Sequence, residues 1–286
     1  MPSTTHLHIP DAVPIPEAYA RCSHLAIGAH PDDLEFMAYH GISTCYEQSE
    51  AWFGGIVCTN GAGSSRNGPF ANHSDAEIVA CRQTEQCQAA DLGQYSFVEL
   101  LNYTSEEAKN SDSLQSLSKD LETRLLQSQP EILYTHNPAD KHETHVAIIL
   151  ATLAACRRLP PHARPRRIFG CEVWRDLDWV NDDEKVALDT SAYPELAKKL
   201  YACFKSQIAG GKNYDQAITG RQTANATFQQ AHCPDSITRL TYALDLTPLL
   251  KDDTLKIDDF LSAIIGRFKE SVLRSIKATN TSTNLH

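Results

Sequence analysis

Short apolar runs alternate along this chain with longer segments of helical spacing: His24 to Ala29 (HLAIGA), Trp52 to Thr59 (WFGGIVCT) and Glu131 to His136 (EILYTH) are the clearest. Strands separated by helices build crossover units, so the pattern predicts an α/β fold with a mostly parallel sheet. Two helices are marked at their starts as well as along their faces. Ser74-Asp-Ala-Glu77 has capping-box form ahead of Ile78, Ala89 and Leu92, with Gly93 as the stop, and predicts a helix over 75–92. Asp140-Lys-His-Glu143 is a similar start, followed by Val146, Ile149, Leu150 and Leu153 at i, i+3, i+4 and i+7. Further on, 167–174 (RIFGCEVW) and 239–246 (RLTYALDL) read as strands beside helices near 194–206 and 214–230. No linker-like composition and no repeat divides the chain, which reads as one domain over 1–277 with a flexible polar tail at 278–286 (ATNTSTNLH).

Charge and cysteine usage narrow the partners. Lys plus Arg number 26 against 36 Asp plus Glu, a net charge of −10, which argues against a nucleic-acid or anionic membrane surface and for a small molecule. No run of about 20 apolar residues is present to span a membrane. The nine cysteines are odd in number, form no C-x-x-C pair and sit mostly in apolar stretches, as free thiols do in a reducing cytoplasm. The first twenty residues, MPSTTHLHIPDAVPIPEAYA, lack the charged leader and apolar core of a secretory signal, which fits the same expectation.

The chemistry concentrates in His30-Pro31-Asp32-Asp33-Leu34-Glu35, directly after the first strand, at the sheet edge where open α/β folds bind ligands. Pro31 biases His30 toward extended backbone and suits the first turn of a helix, so the imidazole and the acids converge on one turn. The acids would also complement a helix amino terminus, at about 0.3–1 kcal/mol each. His142-Glu-Thr-His145 puts two more imidazoles on one helix face. A catalytic zinc usually takes three protein ligands, and His30, Asp33 and one of these histidines satisfy that count. Asn60 to His73 (NGAGSSRNGPFANH), after another strand, is a candidate binding loop. Nucleotide binding is disfavoured, since neither G-x-G-x-x-G nor G-K-[ST] occurs.

Ala29-His-Pro-Asp-Asp33, Arg82-x-x-Glu85 with Ala89, Ala90, Leu92 and Gly93 behind it, and His142-x-x-His145 span about residues 24 to 150. In these motifs the chain resembles the PIG-L/LmbE-like zinc N-deacetylases, also grouped as carbohydrate esterase family 14. The resemblance implies a Rossmann-like three-layer α/β/α fold. It also implies Zn2+, or another divalent transition metal, on His30, Asp33 and His145, with Asp32 as general base. His142 would stabilise the tetrahedral intermediate or donate a proton, and Arg82 would contact substrate. Many relatives read H-P-D-H where this chain has His142-Glu-Thr-His145, so the carboxylate that commonly pairs with the catalytic imidazole is missing at Thr144, and Asp140 is its candidate substitute behind the site. The implied reaction hydrolyses the acetamide of an N-acetylglucosamine-type sugar or small conjugate; a non-sugar acyl amide or ester is the alternative. Trp174 and Trp179 are candidate apolar platforms for a sugar ring, His40 is an extra imidazole without an assigned part, and self-association into a homo-oligomer follows by analogy.

Overall fold

The expected strands form where side chains are apolar on both faces, the signature of a sheet covered on both sides. In the computed structural model, which describes residues 5–209, 211–227 and 233–283, eight strands make one sheet. They are β1 (His6–His8), β2 (Cys22–Gly28), β3 (Trp52–Thr59), β4 (Phe97–Tyr103), β5 (Ile132–His136), β6 (Arg167–Cys171), β7 (Lys185–Asp189) and β8 (Leu240–Asp245). Their order is β1-β4-β3-β2-β5-β6-β8-β7. The five strands from β4 to β6 run parallel, whereas β1 is antiparallel to β4 and β8 is antiparallel to both β6 and β7.

Successive residues of β2 enter opposite cores. Leu25 and Ile27 join Leu133, Ile148, Ile149 and Leu121 on one face, while Ala26 joins Leu34, Phe36, Tyr134 and Leu200 on the other. The result is the three-layer α/β/α arrangement. From β2 the chain proceeds outward to β3 and β4, and from β5 it proceeds the other way to β6, so order reverses between β2 and β5. The crevice beyond their carboxyl ends is where such sheets place ligands.

Several local expectations shift. The first helix runs Asp75–Gly93 with both capping-box bonds, but Gly93 is its last helical residue and the left-handed cap is Gln94, at φ +53°. Glycine suits position 93 because a Cβ there would lie 2.3 Å from the Tyr95 ring. Leu92 is half exposed and contributes little core. The second helix, Glu143–Arg158, is capped by His142, whose Nδ1 accepts the Thr144 N–H, and not by Asp140. The 194–206 helix divides into Pro194–Tyr201 and Lys205–Ile208, and the next runs Tyr214–Ala226, with 228–230 outside the described residues. The strand expected to reach 174 stops at Cys171.

The polar run at 278–286, expected as a flexible tail, continues the long Ile257–Thr283 helix through residue 283. Residues 284–286 lie outside the described ones. Side chains at 278–280 are exposed, and a helix already nucleated by its packed first half extends through polar residues at little cost. Among the described residues no helix is long and apolar enough to cross a membrane.

Candidate metal and active site

The turn after β2 and the helix after β5 face each other across the crevice. His30 Nδ1 lies 3.2 Å from Asp33 Oδ2, His145 Nε2 lies 3.3 Å from His30 Nδ1, and His145 Nε2 lies 3.4 Å from Asp33 Oδ2. Ligands held tetrahedrally at about 2.0–2.1 Å from one ion stand about 3.3–3.4 Å apart. The triangle of two imidazole nitrogens and one carboxylate oxygen therefore has the edge length such a coordination shell requires, and the donor set fits a divalent transition metal. Asp33 does not serve the helix that starts there, because its Oδ2 accepts the His30 N–H at 2.7 Å. Burial alone would raise its affinity for protons, but the imidazoles of His145 and His136 more than offset that and hold the carboxyl well below the ordinary range.

His136, which the sequence reading passed over, is fully buried at the end of β5. Its ring stacks on that of His145 at 3.8 Å, its Nε2 accepts the Ala29 N–H at 2.9 Å, and the same nitrogen stands 3.4 Å from Asp33 Oδ2. Asp33, His136 and His145 thus form a second group of mutually close donors, as do His30, His142 and His145. Because Nε2 of His136 is engaged by the end of β2, this ring joins the two strands beneath the site. Its signal in the sequence was its position as the last residue of an expected strand. Asp140 sits behind the triangle, with Oδ2 3.5 Å from His145 Nδ1 and Oδ1 accepting the His142 N–H at 2.9 Å. It faces the His145 ring and only the backbone of His142.

Asp32 is the irregular residue. Its φ of +97° is a left-handed conformation rarely taken by a non-glycine residue, and its side chain makes no capping bond to the helix it precedes. Such conformations cost on the order of 1–3 kcal/mol and concentrate at functional sites. The side chain lines a cavity of about 240 Å³ shared with His30, Asp33, Arg82, His142 and His145. Burial, and then the adjacent Asp33 charge, push its proton affinity well above the ordinary carboxylate range. His142 is the accessible imidazole, its proton affinity lowered by burial and by His30.

Arg82 is 1% exposed and lines the same cavity, with three of its N–H groups donating to Gly61 O, Ser64 Oγ and Ser206 Oγ. It therefore ties the Asn60–His73 loop to the cavity wall. Trp174 lines the cavity with Tyr214, their ring centroids 4.8 Å apart. Trp179 packs against the core cluster on the other face of the sheet, and His40 bonds to Tyr134 Oη at 2.9 Å, so neither lines the cavity.

A doubly wound α/β protein with a His/Asp donor set at its switch point is the class that fold and site define. Residues 25–156 match the family model described as PIG-L: GlcNAc-PI de-N-acetylase. The Escherichia coli K12 protein YaiS, described as an uncharacterized deacetylase, is 29% identical over 156 residues, covering 52% of this chain and 76% of the relative. Through this segment the chain is similar to the PIG-L/LmbE-like deacetylases. Solved structures agree in fold. The N,N'-diacetylchitobiose deacetylase of Pyrococcus horikoshii superposes with a TM-score of 0.61 at 18% identity, over 85% of this chain and 90% of that one. GalB, the 4-carboxy-2-hydroxymuconate hydratase of Pseudomonas putida KT2440, gives 0.62 at 16% identity, over 79% and 96%.

Proposed function

We propose that this protein is a metal-dependent N-deacetylase that releases acetate from an N-acetylglucosamine-type sugar or a small conjugate of it. Since a hydratase shares the fold, the reading rests on the site, and the observation that carries it is the 3.2–3.4 Å triangle of His30, Asp33 and His145. When bound there, zinc would supply Lewis acidity toward a carbonyl oxygen and lower the pKa of a water ligand to about 7. Asp32 accepts the proton of the attacking water, a task its raised proton affinity suits, and delivers it to the departing amine. It is free to do so because its neighbour Asp33 takes the place beside the imidazoles. His142, with Nδ1 occupied by the Thr144 N–H, keeps Nε2 to stabilise the oxyanion of the tetrahedral carbon.

At about 240 Å³ the cavity is below the roughly 300–1,000 Å³ of drug-sized pockets, which fits one sugar residue better than an extended chain. The Trp174 and Tyr214 rings offer that residue an apolar wall, and Arg82 offers hydrogen-bond donors. A cytoplasmic setting is supported by nine unpaired cysteines, six of them buried.

The test couples metal analysis to acetate release from N-acetylglucosamine, its dimer, and non-sugar acetamides and esters. Activity on the sugars that stops with a chelator and returns with zinc is expected. Acetate from only the non-sugar compounds would move the substrate class, and none from any compound by zinc-loaded protein would overturn the reading.

A further inference from the structure

The strained conformation of Asp32 has to be held from outside, because its own side chain bonds to nothing in the helix that follows. The peptide unit joining Pro31 to Asp32 has one acceptor and one donor, and each is gripped by a glutamine from a different helix. Gln207 Nε2 donates to Pro31 O at 3.0 Å, and Gln86 Oε1 accepts the Asp32 N–H at 3.3 Å. Rotating this peptide plane is the movement that would let Asp32 escape its positive φ, and the rotation would break both bonds. It would also carry the Asp32 carboxyl to a new position in the cavity.

A buried carboxylate decides which way Gln86 faces. Glu35 is fully buried, and its Oε1 accepts from Gln86 Nε2 and from Tyr95 Oη, each at 2.8 Å, while Oε2 has no partner. A buried carboxyl with an unsatisfied oxygen is destabilising compared with an apolar residue of similar size. With its Oε1 receiving the Tyr95 hydroxyl and the Gln86 amide, it points the NH2 of Gln86 at itself and leaves the amide oxygen for Asp32. Reversed, the amide would set a donor against the Asp32 N–H.

We propose that Gln86 and Gln207 are positioning residues that clamp the Pro31–Asp32 peptide plane, with Glu35 orienting Gln86, so that the Asp32 carboxyl is held where the reaction needs it. The clamp stands on geometry; only its kinetic consequence rests on the proposed deacetylase reading. Two measurements on the full chain keep these separate. Amide exchange at Asp32, followed by NMR, reads the clamp without any substrate, and acetate release reads its effect on catalysis. In Gln86→Leu and in Gln207→Leu we expect faster exchange at Asp32. We also expect kcat lowered about 10–100-fold, with KM and zinc content unchanged. In an Asp32→Asn background the same substitutions lower the residual rate no further.

Gln86→Glu alone sets two carboxylates against each other. The exchanged pair Glu35→Gln with Gln86→Glu keeps both contacts with their polarity reversed, since the amide NH2 of Gln at 35, in the place of Oε1, then donates to Glu at 86 and to Tyr95 Oη, while Glu at 86 still accepts the Asp32 N–H. It is expected to recover exchange protection and kcat together, and it carries the test if a leucine variant does not fold. Unchanged exchange in a folded leucine variant, or failure of the exchanged pair to recover, overturns the proposal. Altered exchange in a protein that releases no acetate leaves the clamp standing and overturns the deacetylase reading instead.

Discussion

Replacing Asp32 with glycine should make this protein more stable while removing its activity. At φ +97° the aspartate carries a backbone cost of about 1–3 kcal/mol that glycine does not. Glycine loses more chain entropy on folding, about 0.5–1 kcal/mol relative to alanine. The buried carboxyl, which is disfavoured in its charged form beside Asp33, disappears as well. The balance favours glycine by about 1–2 kcal/mol, a rise in melting temperature of several degrees at roughly 2–4 °C per kcal/mol. Alanine provides the control, because it also removes the carboxyl but keeps the Cβ that makes positive φ costly. Thermal unfolding of the three proteins, each stripped of metal with a chelator, reads the backbone contribution as the gap between Gly and Ala. The activity of both variants should fall about 10²–10⁴-fold, as expected for loss of a general base. If the alanine variant melts at or above the glycine variant, strain at this residue is not what the φ value implies, and the argument for a clamp loses its cause.

Two further outcomes follow from buried groups. His145→Ala should abolish stoichiometric zinc binding, whereas His136→Phe, which keeps a ring against His145, should weaken it only about 10–100-fold; equal losses would make His136 a ligand. Glu172, away from the site, has its carboxyl pushed up to about 7 by burial. The folded chain therefore holds its proton at pH values where the unfolded chain has released it, so the associated stability is present below about pH 4.5 and declines as pH rises through 7, by at most about 3 kcal/mol. Urea unfolding at pH 5 and pH 8 should show that decline in the wild type and less of it in Glu172→Gln, and equal declines would refute the assignment.

The donors of the proposed metal site could be read from sequence because each sits at a recognisable boundary, His30 and Asp33 after an apolar run and His145 one turn into a capped helix. The central strands β2, β3 and β5 were legible for the same reason, being apolar through most of their length. β4 was missed because Glu99 and Asn102 interrupt its apolar run, although both are buried, Glu99 paired with Arg124 at 2.7 Å. The two edge strands were missed too: β1 is three residues long, and β7 is mostly half-buried or exposed. Left-handed backbone at Asp32 has no signature in H-P-D-D, and Gln86 and Gln207 are unremarkable as letters. Their part appears only when three distant segments meet. Asp140 could be suspected near the site, but which histidine it faces depends on a helix that begins two residues later than the sequence suggested.

The family match ends at residue 156, yet Trp174, Gln207 and Tyr214 line the same cavity as His30, Asp33 and His145. The cavity is thus walled from both stretches of polypeptide, Gly61, Ser64 and Arg82 from the earlier one, and the two meet where Gln207 bonds to Pro31 and Ser206 to Arg82. Replacing residues of the later stretch would reshape its side of that wall while the imidazoles and carboxylates of the earlier one stay as they are.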